Sequence, residues 1–311
     1  MRLSSPDRVY FTARGETKHD LADYYLAVGD GIVRALRERP CMLHRFPDGA
    51  AGKKVHQKRI PRGAPDWVET VCLHFPRYDL YADELCVTAL ASVIWAVQMS
   101  TVEFHPWNSR RADPERPDEW RIDIDPMPDA PFTRVQRVAR TVHEILDELG
   151  ATGWPKTSGG RGLHVYVRIL PEHGFRDLRR AARAFAREVE RRVPDDATIT
   201  WWRKDRGPRS VFVDYNQNTR DHTIASAYSV RGNPEGTVSA PFTWDELDDI
   251  DPRDFTIATM PQRFAERGDL HAGIDDAVYD IRPLLEWAER DEADGDEEPE
   301  ETGGRRGGDA T

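Results

Sequence analysis

Little in this chain speaks for disulfides, membranes or export. Its three cysteines, Cys41, Cys72 and Cys86, are odd in number and include no CxxC pair, which excludes a disulfide framework and fits a reducing compartment. No apolar run approaches the length of a membrane span, and the opening Met1-Arg-Leu-Ser-Ser-Pro-Asp7 has no apolar signal core. A soluble cytoplasmic protein with no membrane partner is therefore expected. Internal repeats are missing, as are a GxxxxGK[ST] loop and any nucleophile-base-acid order of a hydrolase. Positive charge is also in deficit, with a net charge of -11 over 311 residues, which looks wrong for a nucleic-acid partner. Most of that deficit lies at the end: residues 289–311 hold ten acidic and three basic residues, net -7, leaving -4 for residues 1–288. The body is nearly balanced and carries local basic clusters, Lys53-Lys-Val-His-Gln-Lys-Arg59, Arg110-Arg111, Arg179-Arg180 and Trp201-Trp-Arg-Lys-Asp-Arg206, so a phosphate backbone stays within reach.

What is present is a set of carboxylates and one glycine loop. In Trp120-Arg-Ile-Asp-Ile-Asp-Pro126 the side chains of a strand alternate, so Ile122 and Ile124 go to one face while Asp123 and Asp125 share the other. Their Cα atoms then stand roughly 6 to 7 Å apart, a spacing that lets both grip one or two divalent ions. Asp214, in Val211-Phe-Val-Asp-Tyr-Asn-Gln217, offers a third carboxylate from another strand. Hard oxygen ligands of this kind suit Mg²⁺ or Mn²⁺ rather than zinc. Between them, Ser158-Gly-Gly-Arg-Gly162 supplies backbone N–H groups, a hydroxyl and a guanidinium suited to phosphate. Together they suggest a metal-dependent nucleotidyltransferase. Each part has a blander explanation: aspartates at strand ends cap loops, and a glycine run makes a tight turn. Cys41-x-x-His44 and Cys72-x-His74 could pair as zinc ligands, but they lie in apolar, strand-like stretches where buried Cys and hydrogen-bonded His are the commoner explanation.

Periodicity organises the rest. Thr17 is an N-cap with Asp20 three residues on, opening a helix through Leu21, Tyr24, Tyr25 and Val28. Residues 41–49 read as a short strand and turn, 53–60 as a basic strand or loop, and 82–99 as a helix through Leu85, Leu90, Val93, Ile94 and Val97. The proline-bearing segment 111–118 is a loop and a module boundary. Val135, Val138, Val142, Ile145 and Leu149 mark a helix with Thr133 as candidate cap and Gly150 at its end. A strand follows over 163–169 with His164 on its polar face, then a helix over 175–192. Further strands are expected near 199–202 and 210–214, followed by two helical stretches ending near Ala288. The expected domains are an N-terminal α/β module over 1–112, a catalytic unit over 113–288, and a disordered acidic tail over 289–311.

With those residues in view, the chain resembles the polymerase domain of bacterial ligase D, the end-joining primase-polymerase of the archaeo-eukaryotic primase superfamily. The likeness runs over residues 7–241 and is carried by Asp123-Ile-Asp-Pro126, Pro155-Lys-Thr-Ser-Gly-Gly-Arg-Gly-Leu-His164, Val213-Asp-Tyr-Asn-Gln-Asn218 and Tyr228-Ser-Val-Arg-Gly232, in that order. The resemblance implies an α/β (α+β) fold in which an RRM-like palm joins the N-terminal module, with the active site in the cleft between them. It implies two Mn²⁺ or Mg²⁺ ions on Asp123, Asp125 and Asp214, and an incoming nucleotide held by Ser158, Arg161, His164, Gln217 and Arg231, with His105 near its sugar. Arg8 and Lys18 match the positions that capture a 5′ phosphate, and Gln57 and Lys58 fall on the template side. Departures are Arg at 8 and 161, where the family often has Lys, and Val55-His56 in place of a template-stacking aromatic pair. The implied activity is templated addition of nucleotides, ribonucleotides preferred over deoxyribonucleotides, at short gaps or broken DNA ends. The chain reads as a stand-alone relative, so a separate ligase and a Ku-like protein are the expected partners, with the acidic tail as a candidate tether. Two other classes stay open: a DxD-dependent glycosyltransferase, which would use the same carboxylates but leave Arg8 and Lys18 without a role, and a catalytically silent DNA-end binder, which would not need the carboxylates.

Overall fold

A computed structural model of the chain describes residues 2–295. In chain order the elements are β1 (Val9–Phe11), β2 (Glu16–Thr17), α1 (Lys18–Ala27), α2 (Gly29–Leu36), β3 (Pro40–Arg45), β4 (Val55–Gln57), β5 (Thr70–Phe75), β6 (Leu80–Cys86), α3 (Leu90–Gln98) and β7 (Thr101–Pro106). There follow β8 (Glu119–Pro126), α4 (Phe132–Glu148), β9 (Trp154–Thr157), β10 (Leu163–Ile169), α5 (Phe175–Arg192), β11 (Ala197–Thr198), β12 (Val211–Asp214), α6 (Met260–Arg267), β13 (Val278–Tyr279) and α7 (Arg282–Ala293).

Two sheets organise these elements. The larger runs β11-β12-β8-β10-β13, with β9 also paired to β10. Its central strands are antiparallel, and α4 and α5 pack on it. The order strand, helix, strands, helix, strand is the expected RRM-like palm. On α4, Val135, Val138, Val142 and Ile145 are fully buried and share one core with Ile122 and Ile124 of β8. Each such side chain contributes about 1.5–3 kcal/mol through burial, so the apolar face of β8 is pinned inward and its aspartates must face the other way. The second sheet runs β4-β3-β6-β5, with β7 on the free edge of β3. The same core continues into it through Leu43, Leu85, Val102 and Phe104. The segment carrying Tyr228 and Arg231 is stitched to β7: the Ser226 N–H donates to the Phe104 carbonyl at 3.0 Å, and Ser229 Oγ accepts from the Phe104 N–H at 2.9 Å.

Several local expectations hold. Thr17 and Asp20 form a capping box, α5 spans 175–192, and Gly150 follows α4 with a left-handed φ of +67°. Others need correction. The stretch 82–99 is not one helix: β6 ends at Cys86 and α3 begins at Leu90. Asp79, in left-handed conformation, turns the chain from β5 into an antiparallel hairpin, so Leu85 belongs to a strand and the apparent helical spacing joins two elements. The cap of α4 is Pro131, without a side-chain hydrogen bond, instead of Thr133. The strand near 199–202 lies earlier, as β11. Cys41 and Cys86 are buried, but Cys72 is exposed on the edge strand β5. Helix α7 continues past Ala288 to Ala293; the rest of the acidic tail, 296–311, lies outside the described residues. No described helix is long and apolar enough to cross a membrane.

Candidate active site

Register builds the site. Asp214 of β12 lies directly across from Asp123 of β8, Asp123 from His164 of β10, and His164 from Lys156 of β9. Four neighbouring strands thus set Asp214, Asp123, His164 and Lys156 in one row, and Asp125 adds a carboxylate two residues along on the same face. Burial, then the charges of Asp214 and Asp125, push the Asp123 carboxyl well above the usual range. Asp125 is also raised by burial and by Asp214, against the pull of Arg203, Arg206 and Arg161. Two carboxyls raised by burial and crowded by the Asp214 carboxylate are the donor chemistry that a divalent ion relieves, so these residues fit a Mg²⁺ or Mn²⁺ pair. Asp214 is held in place by the Asn216 N–H at 2.8 Å, Asn216 Nδ2 at 2.9 Å and Gln217 Nε2 at 2.9 Å. Gln217 is therefore at the site, donating to a carboxylate.

The glycine loop closes on itself. Ser158 Oγ accepts from the N–H groups of Gly160 and Gly162 at 3.1 and 3.2 Å. At Gly162 a Cβ would stand 2.3 Å from the Ile124 carbonyl oxygen, so only glycine lets the loop lie on the carboxylate strand. Gly159 has φ +71° and a Cβ there would meet Arg231 Cγ at 2.4 Å, which places the Arg231 stem against the loop. Arg231 NH1 donates to the Ser158 carbonyl at 3.3 Å. Arg161 turns back to the carbonyls of Pro128 and Pro126, at 2.7 and 3.2 Å. His164 is buried, with Nε2 3.5 Å from Asp123 Oδ1 and Nδ1 2.6 Å from Lys156 Nζ. Burial pushes its imidazole well below the ordinary histidine range. Lys156 is lowered by the same cause and by Arg231 and Arg121, against the pull of Asp123 and Glu119.

Across from the palm, β7 presents Glu103 and His105 on one face. Glu103 Oε2 accepts from His105 Nε2 and His44 Nδ1, both at 2.8 Å, and Oε1 accepts from the Gly232 N–H at 2.8 Å. Burial works to raise the Glu103 carboxyl, but the two imidazoles and Arg231 bring it far below the usual range. Burial lowers His105 to about 3, so it is neutral at physiological pH. With its proton on Nε2, Nδ1 is a lone pair, buried and without a partner, and His44 Nε2 is also without one. Among the described residues, His44, Glu103 and His105 are the set whose ligand atoms all lie within 4.8 Å of one another, close enough to hold a metal ion. Metal-bound imidazoles almost always donate their other N–H to a partner. That these two have none favours a closed hydrogen-bonded triad.

The remaining expected contacts lie elsewhere on the N-terminal side. Arg8 is half-exposed beside the Pro47 carbonyl and Asp48. Lys18 is only 3% exposed, with Nζ donating to the carbonyls of Ser4 and Gln98. Arg8 and Arg45 nonetheless bear on Lys18 electrostatically, so a cationic cluster exists there. Gln57 Oε1 accepts from Arg45 at 2.6 Å, and Lys58 Nζ lies 4.2 Å from the Phe75 ring centroid. Glu103 and Lys156 carry no assigned role in the sequence reading. Glu103 had a signal, since strand alternation puts it on the face of His105; the role of Lys156 shows only once β9 pairs with β10.

Residues 17–271 match the family model described as the primase-polymerase domain of LigD. The chain is 33% identical over 272 residues to the multifunctional non-homologous end joining protein LigD of Pseudomonas aeruginosa, covering 86% of this chain and 31% of that protein. With the protein of the same name from Mycolicibacterium smegmatis, identity is 31%, covering 88% of this chain and 36% of the relative. The chain thus spans about a third of the length of these curated relatives. Among solved structures, the polymerase domain from Mycobacterium tuberculosis ligase D in complex with DNA superposes with a TM-score of 0.83 at 29% identity, covering 89% of this chain and 99% of that one.

Proposed function

The chain belongs to the LigD primase-polymerase family, and from that premise we propose that it is a template-directed nucleotidyltransferase that extends primer 3′ ends at short gaps or broken ends in DNA. The observation that carries this reading is the row of Asp214, Asp123 and His164 beside Asp125, with the glycine loop and Arg231 packed at its edge. Asp123, Asp125 and Asp214 would hold two divalent ions, Mn²⁺ or Mg²⁺. When bound, such ions activate the primer hydroxyl and neutralise charge on the departing pyrophosphate. Arg231, the loop N–H groups and the His164 Nε2–H would bind the triphosphate, while Arg161 steadies the end of β8. His105 would lie near the sugar, and a preference for ribonucleotides is part of the proposal. Arg8, with Lys18 beneath it, would take a 5′ phosphate across the gap, and Gln57 and Lys58 would meet the template strand. End-joining repair in the cytoplasm, with a separate ligase and a Ku-like protein, completes the proposal.

The test is extension of a labelled primer across a short gap with a downstream 5′ phosphate, in Mn²⁺ or Mg²⁺, supplied with ribo- or deoxyribonucleotides. Addition with ribonucleotides favoured is the expected result. Binding of the gapped DNA without addition would make the chain a silent end binder; neither binding nor addition would return the carboxylates to a glycosyltransferase.

A further inference from the structure

The geometry points to Lys156 as a positioning residue that fixes the tautomer of His164 and so aims its Nε2–H at Asp123 and at the phosphates of the incoming nucleotide. The nucleotide end of this statement rests on the polymerase reading; the tautomer does not. Lys156 is fully buried at the end of the four-strand row, and its Nζ lies 2.6 Å from His164 Nδ1, 2.9 Å from the Ala225 carbonyl and 2.5 Å from Ser239 Oγ. A carbonyl oxygen only accepts. The Ser239 hydroxyl donates its single proton to the Thr157 carbonyl at 2.7 Å, so toward Lys156 it accepts as well. On the far side of the imidazole, Nε2 stands 3.5 Å from Asp123 Oδ1. With two protons of the Lys156 ammonium committed to the Ala225 carbonyl and Ser239 Oγ, the third points at Nδ1 at 2.6 Å, and Nε2 is left to carry the imidazole proton. A neutral imidazole has one N–H, which leaves Nδ1 as a lone pair, and Lys156 satisfies it with the third of its protons. The Tyr166 ring, 4.9 Å from Nζ, adds an electron-rich face beside the cation. An apolar residue at 156 would leave Nδ1 without a donor, and the imidazole would lose its reason to keep the proton facing Asp123.

The histidine nitrogens can be read directly by long-range proton–nitrogen correlation in protein labelled with ¹⁵N-histidine, with the His164 signals assigned by their loss in His164→Gln. Wild type is expected to show a protonated Nε2 and a bare Nδ1 at His164, and Lys156→Met to shift those signals toward a mixture of tautomers. A proton on Nδ1 in the wild type would overturn the proposal, as would an unchanged His164 spectrum in a Lys156→Met protein that still melts cooperatively. Should that variant fail to fold, the wild-type spectrum alone decides. In primer extension, Lys156→Met should raise the nucleotide KM about tenfold, the loss expected for one charge-assisted hydrogen bond, with a smaller change in kcat. The double variant with His164→Gln should be no worse than His164→Gln alone; full additivity would mean that Lys156 acts elsewhere. No extension by the wild type would count against the polymerase reading and leave the tautomer measured.

Discussion

Asp123 meets two opposed demands, since the ion-holding role proposed for it needs it charged while its buried place beside Asp214 and Asp125 favours the proton. A carboxyl raised in the folded state stabilises the fold below the ordinary aspartate range and loses that contribution as pH rises toward the folded value. Without divalent ions at neutral pH, Asp123→Asn should therefore melt higher than wild type, by roughly 2–4 °C, and added Mn²⁺ should close or reverse the gap; scanning calorimetry with and without the ion reads both. Glu103 works the other way, with every contact favouring its charge. Glu103→Gln removes the charge that both imidazole donors share and sets an amide NH2 against the Gly232 N–H or against those imidazoles, so chemical denaturation should show a loss of about 1–3 kcal/mol. The aspartates could be read in the sequence because alternation along one strand fixes their face. The work of Glu103 and Lys156 could not, because their partners come from other strands and appear only when register is set.

At the level of elements, the glycine loop and the Tyr228–Arg231 stretch form a unit: Arg231 can lie where it does because Gly159 has no side chain. Gly159→Ala would strain a left-handed residue by about 1–2 kcal/mol and drive Arg231 Cγ from its seat. The nucleotide KM should rise several-fold while the circular dichroism spectrum keeps its helical signal; an unchanged KM would separate Arg231 from the nucleotide. The same scale shows where reading a sequence succeeds. Helices α4 and α5 were legible because their apolar stripes are long and uninterrupted. The 82–99 stretch was not, because a strand ending in Leu85 and Cys86 abuts a helix starting at Leu90, and the two apolar patterns concatenate at a helical spacing. The His164 strand alternates in polarity, yet both of its faces are buried, since the segment carrying Ala225 and Ser239 lies over the side that alternation alone assigns to solvent.

Across the whole molecule, the two sheets share one core and face each other over buried charge, so stability should depend on pH as a unit. His105 and His271 are both lowered by burial to about 3, so each stabilises the fold above the ordinary histidine range and loses that contribution as pH falls from about 6.5 toward 3. Glu119, which burial would raise but Arg39 and Arg121 hold well below its ordinary range, adds loss below about pH 4.5. Glu84, raised to about 8 by burial, costs stability in the opposite direction as pH rises above its ordinary range. Because Glu84 and Asp123 work in the opposite direction over the same window, the histidine contribution is read as a difference: wild type should lose more melting temperature than His271→Gln between about pH 6.5 and 5, and equal slopes would contradict the buried neutral histidine. The fold and the shared face of Asp123 and Asp125 were visible from a few motifs, while the docking of one sheet on the other, which brings Glu103 to Arg231 and Gly232, rests on long-range contacts no local pattern encodes. The most direct test of the central claim is the identity of the nucleotide added at a one-nucleotide gap opposite each of the four template bases, for wild type and for Asp123→Ala/Asp125→Ala. The account predicts complementary addition by wild type and none by a variant that still folds; addition that ignores the template, or survives loss of both aspartates, would contradict it.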